Sequence, residues 1–183
     1  MKGASMLRNL GFAAACAVLV LGISRANAQQ PQTPGPEHKV LTDSIGTWDC
    51  SIKSPDGEEV SKGEAVYKAG PGGLWVVADF KGAFGPIEFQ GHGLDGYDQN
   101  KKKYVSVWTD SMSSAPMVFE GDYDADTKTL TLIGEGLGQD GKPAKHKSVT
   151  KFKDANHHTF TLNMVGADGK DVPMMSIDYT RRK

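Results

Sequence analysis

Cysteine is nearly absent: the chain holds two in 183 residues, Cys16 and Cys50. With Cys16 inside an N-terminal apolar stretch, Cys50 has no partner in the rest of the chain, which excludes an intramolecular disulfide and a thiolate metal cluster. A surplus of positive charge is missing as well. Lys+Arg number 21 against Asp+Glu 22, for a formal charge of −1, so nucleic acid is not an expected partner. No uncharged apolar run approaches the roughly 20 residues of a spanning helix; the longest covers residues 11–23. Past residue 46 no ten-residue stretch keeps a 3.6-residue period, and no strained nucleophile elbow is visible. Ser111, Ser113 and Ser114 are loop serines without an identifiable base.

The N-terminus reads as a secretory signal peptide over residues 1–28. Lys2 and Arg8 precede the apolar run, and Ala26-Asn27-Ala28 supplies the small-x-small site after it. An uncleaved anchor is the alternative. Cleavage removes Lys2, Arg8 and Arg25 and no acid, shifting the formal charge from −1 to −4. The expectation is an exported protein, periplasmic or secreted, with no transmembrane segment after cleavage. Residues 29–37, rich in Pro and Gln, read as a flexible spacer, and residues 38–183 as one domain.

What fills that domain is alternation. Trp48, Cys50 and Ile52 alternate with polar residues, as do Phe160, Leu162 and Met164; Val76, Ala78 and Phe80 alternate with Trp75, Val77 and Asp79, and Met175, Ile177 and Tyr179 with Met174, Ser176 and Asp178. Period two is the strand signature. Asp98-Gln99-Asn100-Lys101, Asp124-Ala125-Asp126-Thr127 and Ala167-Asp168-Gly169-Lys170 punctuate the runs with short turn-forming sequences. Such short connections force antiparallel neighbours. The expected strands are 46–54, 58–69, 73–81, 86–95, 102–111, 115–123, 128–135, 144–153, 158–165 and 172–181. The fold class is therefore all-β, an antiparallel up-and-down barrel of about ten strands, since closure alone removes the edges. A two-sheet sandwich would need longer crossings.

Gly46-Thr47-Trp48, opening the first strand after a helical turn at residues 38–45, resembles the Gly-x-Trp element of the lipocalin-like (calycin) barrels. That resemblance implies an indole plugging one end, with a basic residue of the last strand, Arg181 or Arg182, packed across it. The chain more closely resembles an exported bacterial family, domain of unknown function 1579. The likeness rests on His38-Lys39-Val40-Leu41 before the Gly-x-Trp triplet, on Gly91-His92-Gly93-Leu94-Asp95-Gly96-Tyr97-Asp98, and on Tyr104 to Ser111. It covers about residues 37 to 182 and implies a lipocalin-like barrel, with no agreed activity to carry over. Haem binding by a relative among ten-stranded barrels leaves that cofactor open; otherwise none is implied.

Gly91 to Gly96 also matches G-x-G-x-x-G, but a dinucleotide site needs a helix to open there, and a turn and strand follow instead. The glycines read as relief for a sharply bent strand. Asp122, Asp124 and Asp126 have the spacing that opens a calcium loop, yet Thr127 and Ile133 stand where its Gly and Glu belong. A solvated hairpin end fits better. No pair among His38, His92, His146, His157 and His158 has zinc-finger spacing, and no metal site is expected. His92, in phase with Glu88, Gln90 and Leu94, is the candidate for a buried polar anchor.

A barrel of this size either fills its interior or lines a small cavity. The residues taken as inward are Trp75, Tyr104, Trp108, Met117, Phe119 and Met175, with Ser106, Gln90 and Thr161 nearby. The expected ligand contacts are His92, Trp75, Tyr104, Trp108, Phe119 and Met175, around a small apolar or aromatic molecule. Gly46, Trp48 and Arg181 are expected to be structural. Binding without catalysis is the leading expectation. A barrel hydrolase or isomerase with rim residues, and a structural or interaction role in the envelope, are the alternatives. Alternation alone does not say which face of each strand turns inward.

Overall fold

The computed structural model describes residues 31–138 and 141–183; the expected leader and the first residues of the proline-rich tract lie outside them. A short helix, α1 (His38–Thr42), leads into ten strands: β1 (Gly46–Lys53), β2 (Glu59–Ala69), β3 (Trp75–Phe84), β4 (Ile87–Asp98), β5 (Lys103–Asp110), β6 (Ser113–Asp124), β7 (Thr129–Leu137), β8 (Pro143–Asp154), β9 (His157–Val165) and β10 (Asp171–Arg181). The strands pair antiparallel in chain order, and β1 joins β10 to close the barrel. This is the all-β up-and-down architecture that the turn spacing implied. No helix among the described residues is long and apolar enough to cross a membrane.

The turns explain the register. Asp98 accepts the backbone N–H groups of Asn100 and Lys101 at 2.9 and 3.0 Å, and Asp124 those of Asp126 and Thr127 at 2.9 and 3.1 Å. Each carboxylate thereby fixes its hairpin end. Asp122 pairs instead with Lys103 across the ladder at 2.5 Å, so the three aspartates do not converge on an ion. The largest departures from the expected boundaries are at β3 and β4, which run on to Phe84 and Asp98. Gly82 and Gly96 sit within that ladder, opposite Phe89 and Trp75; here glycine marks close approach, not a strand end.

One end of the barrel is closed from within. The Arg181 guanidinium lies 4.1 Å over the Trp48 ring, and Trp48 Nε1 donates to the Ser44 carbonyl at 2.8 Å. Arg181 itself donates to the carbonyls of Ile45, Asp43 and Ala155 at 2.6, 2.6 and 2.8 Å. Gly46 makes this possible. Its φ of +142° suits glycine, and a Cβ there would stand 2.5 Å from Arg181 Nη1. Arg182 points outward to Asp49 and Glu64. Between the two candidates for the indole's partner, the geometry selects Arg181.

Above this plug runs a chain of ring contacts: Tyr97 to Tyr104, Tyr104 to Tyr123, Tyr123 to Phe152, Phe152 to His158, and His158 stacked on Tyr179 with centroids 4.3 Å apart. Each such pair contributes roughly 0.5–1.5 kcal/mol beyond its buried area. Helix α1 covers the same end, with Leu41 buried beside Val76 and Tyr104 and Tyr104 Oη donating to the Glu37 carbonyl at 3.0 Å. The tract before α1 is tied to this end as well, through Gln99 Nε2 and the Thr33 carbonyl at 2.8 Å.

Candidate ligand site in the barrel interior

Burial fixes the inward phase of each strand that alternation left open. On β4 and β5 the inward residues are Phe89, Gly91, Gly93, Asp95 and Tyr97, then Tyr104, Ser106, Trp108 and Asp110. Asp95 is the unexpected member. It stands opposite Ser106 and Val76 with the small residues Ala78 and Gly93 beside it on the same wall. Burial raises its carboxyl from 3.8 to about 6, and a hydrogen bond from Ser106 pulls the other way. Tyr67 and Tyr179 share a hydrogen bond close by, and burial together with Asp95 holds both phenols neutral. Cys50 lies near them, its thiol pushed up to about 12 by burial and the neighbouring carboxylates.

Towards the end opposite the plug the interior turns apolar. The Trp108 indole lies over Gly91 and Gly93: a Cβ on Gly91 would fall 2.1 Å from its Cζ2. Its Nε1 donates to Asp110 at 3.0 Å, and its ring stacks on Phe89 with centroids 6.5 Å apart. Phe160 and Met175 pack against the same cluster. Asp95, Ser106, Trp108, Phe160, Leu162 and Met175 all face inward yet are only partly buried. Unlike the sealed Ile52, Phe80 and Ile177, they keep some accessible surface. The glycines of the Gly91–Gly96 run thus serve two indoles rather than a bend, since Gly96 admits Trp75 on the other face at 2.5 Å.

Four of the expected ligand contacts, Tyr104, Trp108, Phe119 and Met175, are on the inner face, as are Met117 and Ser106. Trp75 and His92 are outside, and Gln90 and Thr161 share the outward phase. Trp75 is half-buried because it covers Gly96 and Gly70 on the outer wall. His92, with its side chain 58% exposed, is no buried anchor: its Nδ1 meets Asp79 Oδ1 at 2.8 Å, and Lys68 reaches the other oxygen of Asp79 at 3.3 Å. Hydrogen bonding from His92, then Lys68, keeps the Asp79 carboxyl below its usual range. This trio lies in a polar outer concavity of about 550 Å³ with Glu64, Lys81 and Thr109. A second concavity of about 380 Å³ lies beside α1, between Val40, Tyr97 and Tyr123.

The imidazoles that do turn inward are His146 and His158. His146 is buried, with Nδ1 and the Ala144 carbonyl 3.0 Å apart. His158 is wedged between Tyr179 and Trp48, and burial, then the charge of Arg181, lowers it to about 4. Its neighbour His157 points out to Asp154. Among the described residues no three His, Cys, Asp or Glu side chains are grouped to hold a metal. The sequence reading passed over Asp95, Tyr67 and Tyr179. The signal for Asp95 was its phase, shared with Phe89 and Tyr97, which ending β4 at residue 95 concealed.

The model of a protein family of unknown function, DUF1579, matches residues 33–181. No curated protein matches the chain. Among solved structures, Rv2717c from M. tuberculosis is similar at 14% identity and a TM-score of 0.58, over 81% of this chain and 99% of that one. A de novo designed fluorescence-activating β-barrel is similar at 15% identity and a TM-score of 0.45, over 79% and 98% respectively. At these identities the first likeness concerns the fold alone.

Proposed function

Because the chain belongs to a family described only as of unknown function, DUF1579, its role must be read from the barrel itself, and we propose that it holds a small, partly apolar molecule in the lumen. The single observation that carries this reading is the partly accessible inner wall around Asp95: a carboxyl, the Ser106 hydroxyl and the Tyr67 phenol beside the buried Tyr179, with Trp108, Phe160 and Met175 beyond them. Few polar groups converging within an apolar, aromatic lining are what a small-molecule site uses. The aromatic floor beneath gives the ligand a rigid base, so little ordering is needed on binding. At roughly 25 cal/mol per Å² of apolar surface removed from water, a ligand of modest size reaches micromolar affinity.

The end opposite the plug supplies the access. Val60, Ile87, Met112, Leu137 and Val172 are large apolar residues left exposed, each at or next to a strand end on that side. An apolar rim favours a ligand of matching character. Read with the leader at residues 1–28, the barrel would work outside the cytoplasm. Native mass spectrometry of the protein purified from cell extract tests the reading. We expect a retained small molecule, released on denaturation; an empty barrel that also takes up no hydrophobic dye overturns it.

A further inference from the structure

Charge inside the lumen is one-sided. Along the described strands the lysines fall on the outward phase; Lys68, next to the Ala69 that faces Val76 and so Asp95 across the ladder, pairs on the outside with Asp79. Arg181 is the inward cation, and its donors are taken by the carbonyls of the plug. The inward carboxyls are Asp95 and Asp110. Asp110 is spoken for by Trp108 Nε1 and the Met112 N–H at 3.0 and 2.9 Å. Asp95 lies opposite Ser106, whose hydroxyl donates to it, with the phenols of Tyr67 and Tyr179 in its field and, among the described residues, no lysine or arginine facing it. A partly desolvated carboxylate without a cationic partner is a costly arrangement, and a ligand that brings the missing charge relieves it.

Resting on the lumen reading above, we propose that the ligand is an organic amine: a small aromatic or apolar body bearing a nitrogen donor, protonated in solution, that pairs with Asp95. The same arrangement disfavours a fatty acid or any other carboxylate, which would place like charges together. The phenol oxygens of Tyr67 and Tyr179 and the hydroxyl of Ser106 provide acceptors for the remaining N–H bonds of an ammonium. Trp108, stacked on Phe89, supplies an aromatic face against which an apolar body can pack.

Three ligands with one body and different heads test this: 1-naphthylmethylamine, 1-naphthalenemethanol and 1-naphthoic acid, each titrated calorimetrically against the purified protein at pH 8. The amine should bind about tenfold or more tighter than the acid, the scale of one hydrogen bond to a charged partner. Asp95→Asn should bring the two within about threefold while the alcohol binds unchanged, which also confirms that the variant is folded. Ser106→Ala serves as a milder second variant, with a smaller loss of the amine's advantage. An acid that binds as well as the amine, or an advantage that survives Asp95→Asn, overturns the amine proposal while leaving the lumen site in place. Failure of all three to bind overturns the lumen reading and this one with it. Binding of the amine on the outer wall would not respond to either inward variant, so it too counts against the proposal.

Discussion

Asp95 and His158, both turned into the barrel, are shifted in ways that pull stability in opposite directions with pH. The Asp95 carboxyl rises from 3.8 to about 6, so the folded chain binds its proton more tightly than the unfolded one. Its contribution is greatest in acid and is lost as pH climbs through that window, by about 3 kcal/mol in all. His158 falls from 6.5 to about 4, so here the unfolded chain is the better proton acceptor. Its contribution is present above the unfolded value and is lost as pH drops towards 4, again by about 3 kcal/mol. Across the shared interval the two slopes largely cancel. We expect a nearly flat urea midpoint for the natural protein from pH 6.5 to 4.5, a midpoint that falls with acid in Asp95→Asn, and one that rises with acid in His158→Phe. Two variants that both track the parent would show that neither side chain is held out of water as described. The exposed carboxylates lowered by ion pairs, such as Asp49 and Asp79, act below this interval.

The first and last strands meet at one joint, Gly46 with Arg181, and each half depends on the other. Arg181→Ala removes a ring contact and leaves the carbonyls of Asp43 and Ile45 without their charged donor, at a cost of about 2–4 kcal/mol. Lysine keeps the charge but cannot reach three carbonyls with a planar fork, so Arg181→Lys should recover less than half of that loss. Gly46→Ala collides with Nη1 and strains the backbone. Because the collision disappears once the guanidinium is gone, the double variant should be less destabilised than the two single losses added together. Strict additivity in denaturant melts would mean that the arginine does not occupy the space above Gly46. This joint was legible in the chain, since Gly-x-Trp and a terminal arginine are local features. So were the strands, because period two and turn chemistry act within a few residues. The phase of each strand was not. Alternation yields two sets of side chains and no label for the inner one, and β3 carries Trp75 on its outer set because Gly70 and Gly96 open a cradle for an indole there. His92 was misplaced for the same reason, and Asp95 was missed because a charged residue is not sought on an inner wall.

At the scale of the barrel, closure decides where a ligand can pass. The seam between β1 and β10 runs from Trp48 opposite Arg181 to Lys53 opposite Ser176. An ion pair from Lys53 to Asp178 at 2.6 Å bridges it on the outside, and the plug fastens its lower end. Parting these strands breaks ladder bonds that close a loop of most of the chain, so opening there amounts to unfolding. The plugged end is blocked by Trp48, the ring belt and α1. That leaves the end bordered by Ile87, Met112 and Val172, whose hairpins hold exposed apolar side chains and, among the described residues, no covering helix. Passage through this rim needs only local motion of hairpins, on a timescale far shorter than unfolding. Hydrogen exchange with and without 1-naphthylmethylamine separates the routes. Added protection should concentrate in the hairpins around residues 85–87, 111–113 and 166–172, with the turns at 99–102 and 125–128 unchanged. Protection spreading equally to those plugged-end turns would place the ligand's path through the floor, and the rim would then be an apolar surface with some other purpose.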